Sequence, residues 1–204
     1  MTIATYSDLQ TALQNWTDRS DLSSNVADFI TLAESTINKR LRVRQQLTTV
    51  TSVPDANGKI TIPSDYLAWK RVTWKGSTPH RELEYVEPTY LSSVFADVPS
   101  NTPIFFTIEG ASFVTMPIDS VSNIEILYYQ KIPALSNSNT TNWLLTANPD
   151  LYLAASLVEL LAFTEQPELL QAWLAKREGA FNDIIALDQR SRTQLSIRVA
   201  GSTP

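Results

Sequence analysis

Cysteine is absent from this 204-residue chain, and histidine occurs once. The first absence excludes a disulfide framework, a thiolate metal site and a cysteine nucleophile, and it fits a protein made in reducing cytoplasm. The second leaves Ser-His-Asp or Cys-His chemistry with a single candidate base, His80. It sits between Pro79 and Arg81, where an exposed turn is expected. Glycine is scarce as well, with five residues scattered too widely to build a phosphate-cradling loop. No G-x-G-x-x-G, Walker, H-E-x-x-H or G-x-S-x-G pattern occurs. No cofactor and no metal are expected. No apolar run approaches the roughly 18 residues of a membrane span, and the first residues lack the basic-then-apolar order of a signal peptide. The expectation is a soluble protein with no secretion address and no membrane partner.

A hydrophobic share of 43% beside a charged share of 18% is that of a folded globular chain. The formal net charge of −5 argues against a broad phosphate-neutralising surface. Positive charge is nevertheless clustered, with Arg40, Arg42 and Arg44 in one short stretch and Arg190, Arg192 and Arg198 near the end.

Two amphipathic helices are expected first. One starts at an S-x-x-Q capping box of Ser7 and Gln10 and carries Leu9, Leu13 and Trp16. The other follows Asn25 and carries Phe29, Ile30, Ala33, Ile37 and Leu41. From Gln46 the composition turns to Thr, Val and Ile, and a hairpin is expected of 47–53 with 59–62 across Pro54-Asp55-Ala56-Asn57-Gly58. Further strands are expected at 69–74, 104–108, 112–116 and 124–129, with a short helix over 87–95. Asn148 and Pro149 open an almost wholly apolar helix to Phe163, and Pro167 opens another carrying Leu170, Trp173, Leu174, Phe181, Ile184 and Ile185.

The fold class expected is α+β: a bundle of about four helices from 1–45 and 133–190, an inserted antiparallel β-rich region over 46–132, and an extended C-terminal tail over 191–204.

Glu34, Glu159 and Arg177 interrupt apolar helical stripes. Buried charge requires a partner, so an interhelical ion pair of Arg177 with Glu34 or Glu159 is expected. Arg40 and Arg44 share a helical face if the second helix continues that far. A solvated helix end is the plain reading, and Arg40, Arg42 and Arg44 as a contact with an acidic neighbouring subunit is the sharper one. Glu82 and Glu84, placed on one face of a strand near Tyr85 and Tyr90, are the candidates for a glycosidase carboxylate pair, although the spacing is common and a solvated strand face is the favoured reading. Asp55 and Asp65 carry the same ambiguity. In the tail, Leu195, Ile197 and Val199 alternate between Arg192 and Arg198, a pattern able to add as a strand or fill a groove on a partner.

One ordered series runs through most of the chain. It begins with Tyr6-Ser7-Asp8-Leu9 and Asp28-Phe29-Ile30, then Ala33-Glu34 and Ile37-Asn38-Lys39-Arg40-Leu41-Arg42-Val43-Arg44. It continues through Ile62-Pro63-Ser64-Asp65-Tyr66-Leu67, Leu83-Glu84-Tyr85-Val86 and Pro103-Ile104-Phe105-Phe106-Thr107-Ile108. Tyr128 to Leu135, Thr141 to Leu145 and Asn148 to Leu153 complete it. The series resembles the tailed-phage head-tail adaptor (connector, neck) family, including adaptors of podovirus-like phages and gene transfer agents. That resemblance implies a structural virion protein in the neck, found in host cytoplasm during assembly. It implies a dodecameric ring under the portal protein that extends the DNA channel and presents a platform to tail or nozzle/stopper proteins. Packaged DNA would pass through the lumen without specific binding. The tail residues Arg192, Leu195, Ile197, Arg198 and Val199 are the expected portal contact, and free subunits are expected to be monomers. Two alternatives stay open: a cell-wall-degrading virion protein of glycosidase type, and a glycan-binding β module using Trp69 and Trp74.

Overall fold

Thr5 starts the first helix. Its hydroxyl accepts the Asp8 N–H at 3.2 Å while the Asp8 carboxylate accepts the Thr5 N–H at 2.9 Å, which closes a capping box two residues ahead of the one expected at Ser7. A computed structural model of the chain describes residues 2–18, 20–94 and 102–193. It is mixed α+β, and its elements fall into two compact units: the described residues of Met1–Gln45 with Ile132–Pro204, and those of Gln46–Lys131.

The first unit is helical. α1 (Tyr6–Thr17) and α2 (Val26–Arg40) precede the β-rich unit in sequence, and α4 (Trp143–Ala147), α5 (Pro149–Phe163) and α6 (Pro167–Thr193) follow it. The short α4 escapes the periodicity reading; Asn142 caps it by accepting the Leu145 N–H at 2.9 Å. α5 packs against α1, α2, α4 and α6, which is why it has no polar face. Leu9, Leu13, Ile30, Ile37 and Phe181 are among the side chains buried around it, and its own Tyr152 is buried with them. α6 runs as one helix to Thr193, two residues beyond the expected start of the tail.

The second unit holds two four-stranded sheets and the short helix α3 (Pro88–Val94). One sheet has the antiparallel order β1 (Leu47–Ser52), β8 (Ile124–Gln130), β3 (Tyr66–Trp74), β4 (Arg81–Glu82). The other has the order β2 (Lys59–Thr61), β7 (Ser112–Met116), β6 (Phe105–Glu109), β5 (Glu84–Tyr85), with β5 parallel to β6. The expected hairpin of 47–53 with 59–62 therefore does not form, because β1 pairs with β8 and β2 with β7. Its turn does exist. Asp55 Oδ1 accepts the N–H groups of Asn57 and Lys59, both at 2.8 Å, and Gly58 at φ +72° leaves room for the Thr115 carbonyl, 2.7 Å from where a Cβ would lie. That turn carries the chain from one sheet to the other. Val72, Ile124 and Ile126 from one sheet and Phe106 and Phe113 from the other form a common apolar core, as in a sandwich.

Candidate interaction surfaces

The arginine cluster is split by the end of α2. Arg40 lies in its last turn, Leu41 is already extended, and Arg44 begins a short 3₁₀ turn, so Arg40 and Arg44 do not share a helical face. Arg40 grips Glu178 of α6 with two hydrogen bonds of 2.6 Å, and its guanidinium lies 4.2 Å from the centre of the Phe181 ring. Arg40, assisted by Arg177, holds the Glu178 carboxyl down at about 2 against a smaller opposing effect of desolvation. Arg42 donates to the Asn38 and Leu41 carbonyls. The Arg44 N–H reaches Asp188 at 2.9 Å while its side chain is exposed. Of the three, Arg40 and Arg42 are engaged in their own subunit.

The expected ion pair is corrected in a similar way. Arg177 bonds to Glu178, at 3.2 Å, rather than to Glu34 or Glu159. A carboxylate one residue away, already shared with Arg40, is nearer than either alternative. Glu34 is 8% exposed and takes hydrogen bonds instead of a cation. Its Oε1 accepts the Leu135 N–H at 2.8 Å and the Tyr152 hydroxyl at 3.2 Å. Asn142 Nδ2 in turn donates to the Tyr152 oxygen at 2.7 Å and to the Pro133 carbonyl at 2.8 Å. Burial pushes the Glu34 carboxyl above its ordinary value, partly offset by the hydrogen bonds from Leu135 and Tyr152. Burial, then the Glu34 charge, raises the Tyr152 hydroxyl. This chain of polar groups fastens the segment from Pro133 to Leu145 to α2 and α5. Glu159 is half-buried on α5.

The groups considered for catalysis are dispersed. Glu82 belongs to β4 of one sheet and Glu84 to β5 of the other, with buried Leu83 between them, so the pair shares no strand face. His80 Nδ1 lies 2.9 Å from the Ser77 carbonyl, and the depression beside it is lined by Trp74, Ser77, Pro79, Arg81 and Thr102, none of them an acid. Asp55 shapes a turn, and Asp65 accepts the Tyr128 hydroxyl at 3.0 Å. Among the described residues no group of three His, Asp or Glu side chains is placed to hold a metal ion. Trp69 is partly exposed and stacks on Tyr85 at 5.8 Å. Trp74, expected beside it on the surface, is instead buried and donates its indole N–H to Asp119 at 2.7 Å. Asp119 also accepts the N–H groups of Val121 and Ser122. Burial pushes its carboxyl up, but these hydrogen bonds outweigh that and set it at about 2. Among the described residues, these candidate groups do not meet around one point.

The profile of the SU10 adaptor protein family matches residues 4–200. The chain belongs to that family. It is a phage adaptor, a structural component of the virion. No curated protein matches the chain significantly.

In the adaptor's helical unit two large aromatic side chains, Trp16 and Phe163, lie exposed against partners at the edge of the core. Trp16 is 59% exposed and meets Trp173 edge to face at 5.2 Å, with Lys176 Nζ 4.0 Å from the Trp173 ring centre. Phe163, also exposed, packs on Phe29 at 5.5 Å. Helical spacing placed Trp16 in a core stripe, and spacing alone cannot tell a stripe covered by the same subunit from one left open. Of the expected portal contacts, Leu195, Ile197, Arg198 and Val199 lie outside the described residues, as does the side chain of Arg192.

Proposed function

We propose that the adaptor assembles as a ring of twelve subunits beneath the portal, extends the DNA channel, and offers the platform on which tail or nozzle/stopper proteins dock. The observation that carries this reading is the family match across 4–200, which takes in both compact units. The role is mechanical, consistent with candidate catalytic groups that are scattered over separate sheets and turns. A net charge of −5 suits a lumen through which DNA slides without being held. Arg44 is the member of the arginine cluster assigned here to an acidic neighbouring subunit, since Arg40 and Arg42 are engaged internally. Free subunits remain monomers and close into a ring on the portal.

Mixing purified portal with the chain and imaging the product by electron microscopy tests this. A second ring stacked on the portal, absent when either protein is alone, is the expected outcome. Failure of the two proteins to associate at any ratio overturns it.

A further inference from the structure

Three of the four sheet edges in the β-rich unit are short and charged. β2 has three residues beginning with Lys59, β4 is Arg81–Glu82, and β5 is Glu84–Tyr85. Edges of that kind resist pairing with another chain. β1 is different. Leu47-Thr48-Thr49-Val50-Thr51-Ser52 runs for six residues with neither charge nor proline. It pairs with β8 on one side, and on its other side no backbone hydrogen bond joins it to a described residue. A long, uncharged edge rich in β-branched residues is a template for one more strand.

We propose that this edge receives residues 194–200 of a neighbouring copy of the chain as an added strand. The inference rests on the ring reading above, and it gives the C-terminal residues a neighbouring subunit in place of the portal as their partner. A closed ring is built from unlike surfaces meeting head to tail, so every copy needs one donor and one acceptor, and pairing of β1 with another β1 does not satisfy that geometry. The donor has to be a segment of five or more residues able to extend. β2, β4 and β5 are too short to match β1, and residues 95–101 carry Asp97 and Pro99, which suit a strand poorly. Leu195-Ser196-Ile197-Arg198-Val199 has the required length and alternates with the period of a strand.

The chemistry of the two faces also agrees. Val50 packs against the apolar core of its unit, while Thr49 and Thr51 are exposed. An added strand in register sets Leu195, Ile197 and Val199 on the Val50 side and leaves Ser196 and Arg198 beside the threonines in water. The family match extends to residue 200 and so contains the whole segment. One such short strand binds weakly, and closure of the ring multiplies it, which keeps free subunits apart.

The test uses the full-length chain carrying Ile197→Pro, whose own C-terminal residues are thereby unfit to pair. An excess of a synthetic peptide of residues 192–204 is added, and amide hydrogen exchange is followed over residues 47–53. The wild-type peptide should slow the edge-facing amides about tenfold, and the same peptide with Ile197→Pro should leave them unchanged. No protection by the wild-type peptide, or equal protection by both, overturns the inference. Portal is absent from this mixture, so the two readings fail separately. A ring on the portal with β1 unprotected by the peptide refutes strand addition alone, and β1 protected with no ring on the portal refutes the ring while the strand contact stands.

Discussion

Glu34→Ala and Glu34→Gln should behave very differently, although both remove the same charge. In the wild type a single oxygen, Oε1, accepts the Leu135 N–H and the Tyr152 O–H. Alanine leaves both donors buried without an acceptor, at about 1–3 kcal/mol each, or about 2–6 kcal/mol together. That is a large part of the 5–15 kcal/mol that typically separates folded from unfolded chains. Glutamine keeps the accepting oxygen and should stay within about 1 kcal/mol of wild type at neutral pH. The pH dependence separates the two further. Burial raises the Glu34 carboxyl, so the folded chain holds that proton more tightly than the unfolded one. The contribution of the group is then fully present below the ordinary carboxylate value and is lost as pH rises through the raised one. Wild type should therefore gain on the glutamine variant as pH falls from neutrality toward the ordinary carboxylate range. Urea denaturation of the three proteins at several pH values, with m-values compared, provides the measurement. Equal losses for alanine and glutamine, or a wild-type-minus-glutamine difference that does not move with pH, would refute the reasoning.

Asp119→Ala should destabilise the chain by about 1–3 kcal/mol because it strands the buried Trp74 indole N–H. With its carboxyl held at about 2, the stabilisation from Asp119 is complete above the ordinary carboxylate value and is lost as pH falls toward 2, a loss that Asp119→Asn should abolish in acid titrations followed by tryptophan fluorescence. Gly76→Ala should cost about 1–3 kcal/mol in thermal denaturation, because its Cβ would fall 2.2 Å from a ring carbon of buried Trp74. Arg40→Ala should cost only about 1 kcal/mol, less in high salt, since Arg40 and Glu178 are 39% and 43% exposed at the side chain; a double-mutant cycle with Glu178→Ala measures the coupling.

Helices and strands were legible where apolar spacing is long and regular. α2, α5 and the strands β7 and β8 fall close to the ranges that periodicity implies. Partner choice was not legible. The turn at 54–58 has the composition of a hairpin, but the strands flanking it enter different sheets, because their apolar residues are covered from opposite sides of the sandwich. The same limit explains Arg177: interruption of an apolar stripe marks a charge that needs a partner, and the nearest acid, Glu178, was adjacent in sequence rather than across the bundle. Glu34 stands as a charge within an apolar stripe, yet no local pattern announces Leu135 and Tyr152, which lie more than a hundred residues away. The Asp119-Ser120-Val121-Ser122 turn did carry a readable signal, an acid positioned to bind backbone N–H groups two and three residues on. That acid accepts the indole N–H of buried Trp74, and with Trp74 buried only Trp69 of the two tryptophans expected to bind glycans remains on the surface.

The most direct test of the adaptor role is electron microscopy of purified phage particles in which this chain carries a small label at its N-terminus. Twelve copies of the label should appear in a single ring between portal and tail. Label on the tail tip or capsid surface, or none in the particle, would contradict it.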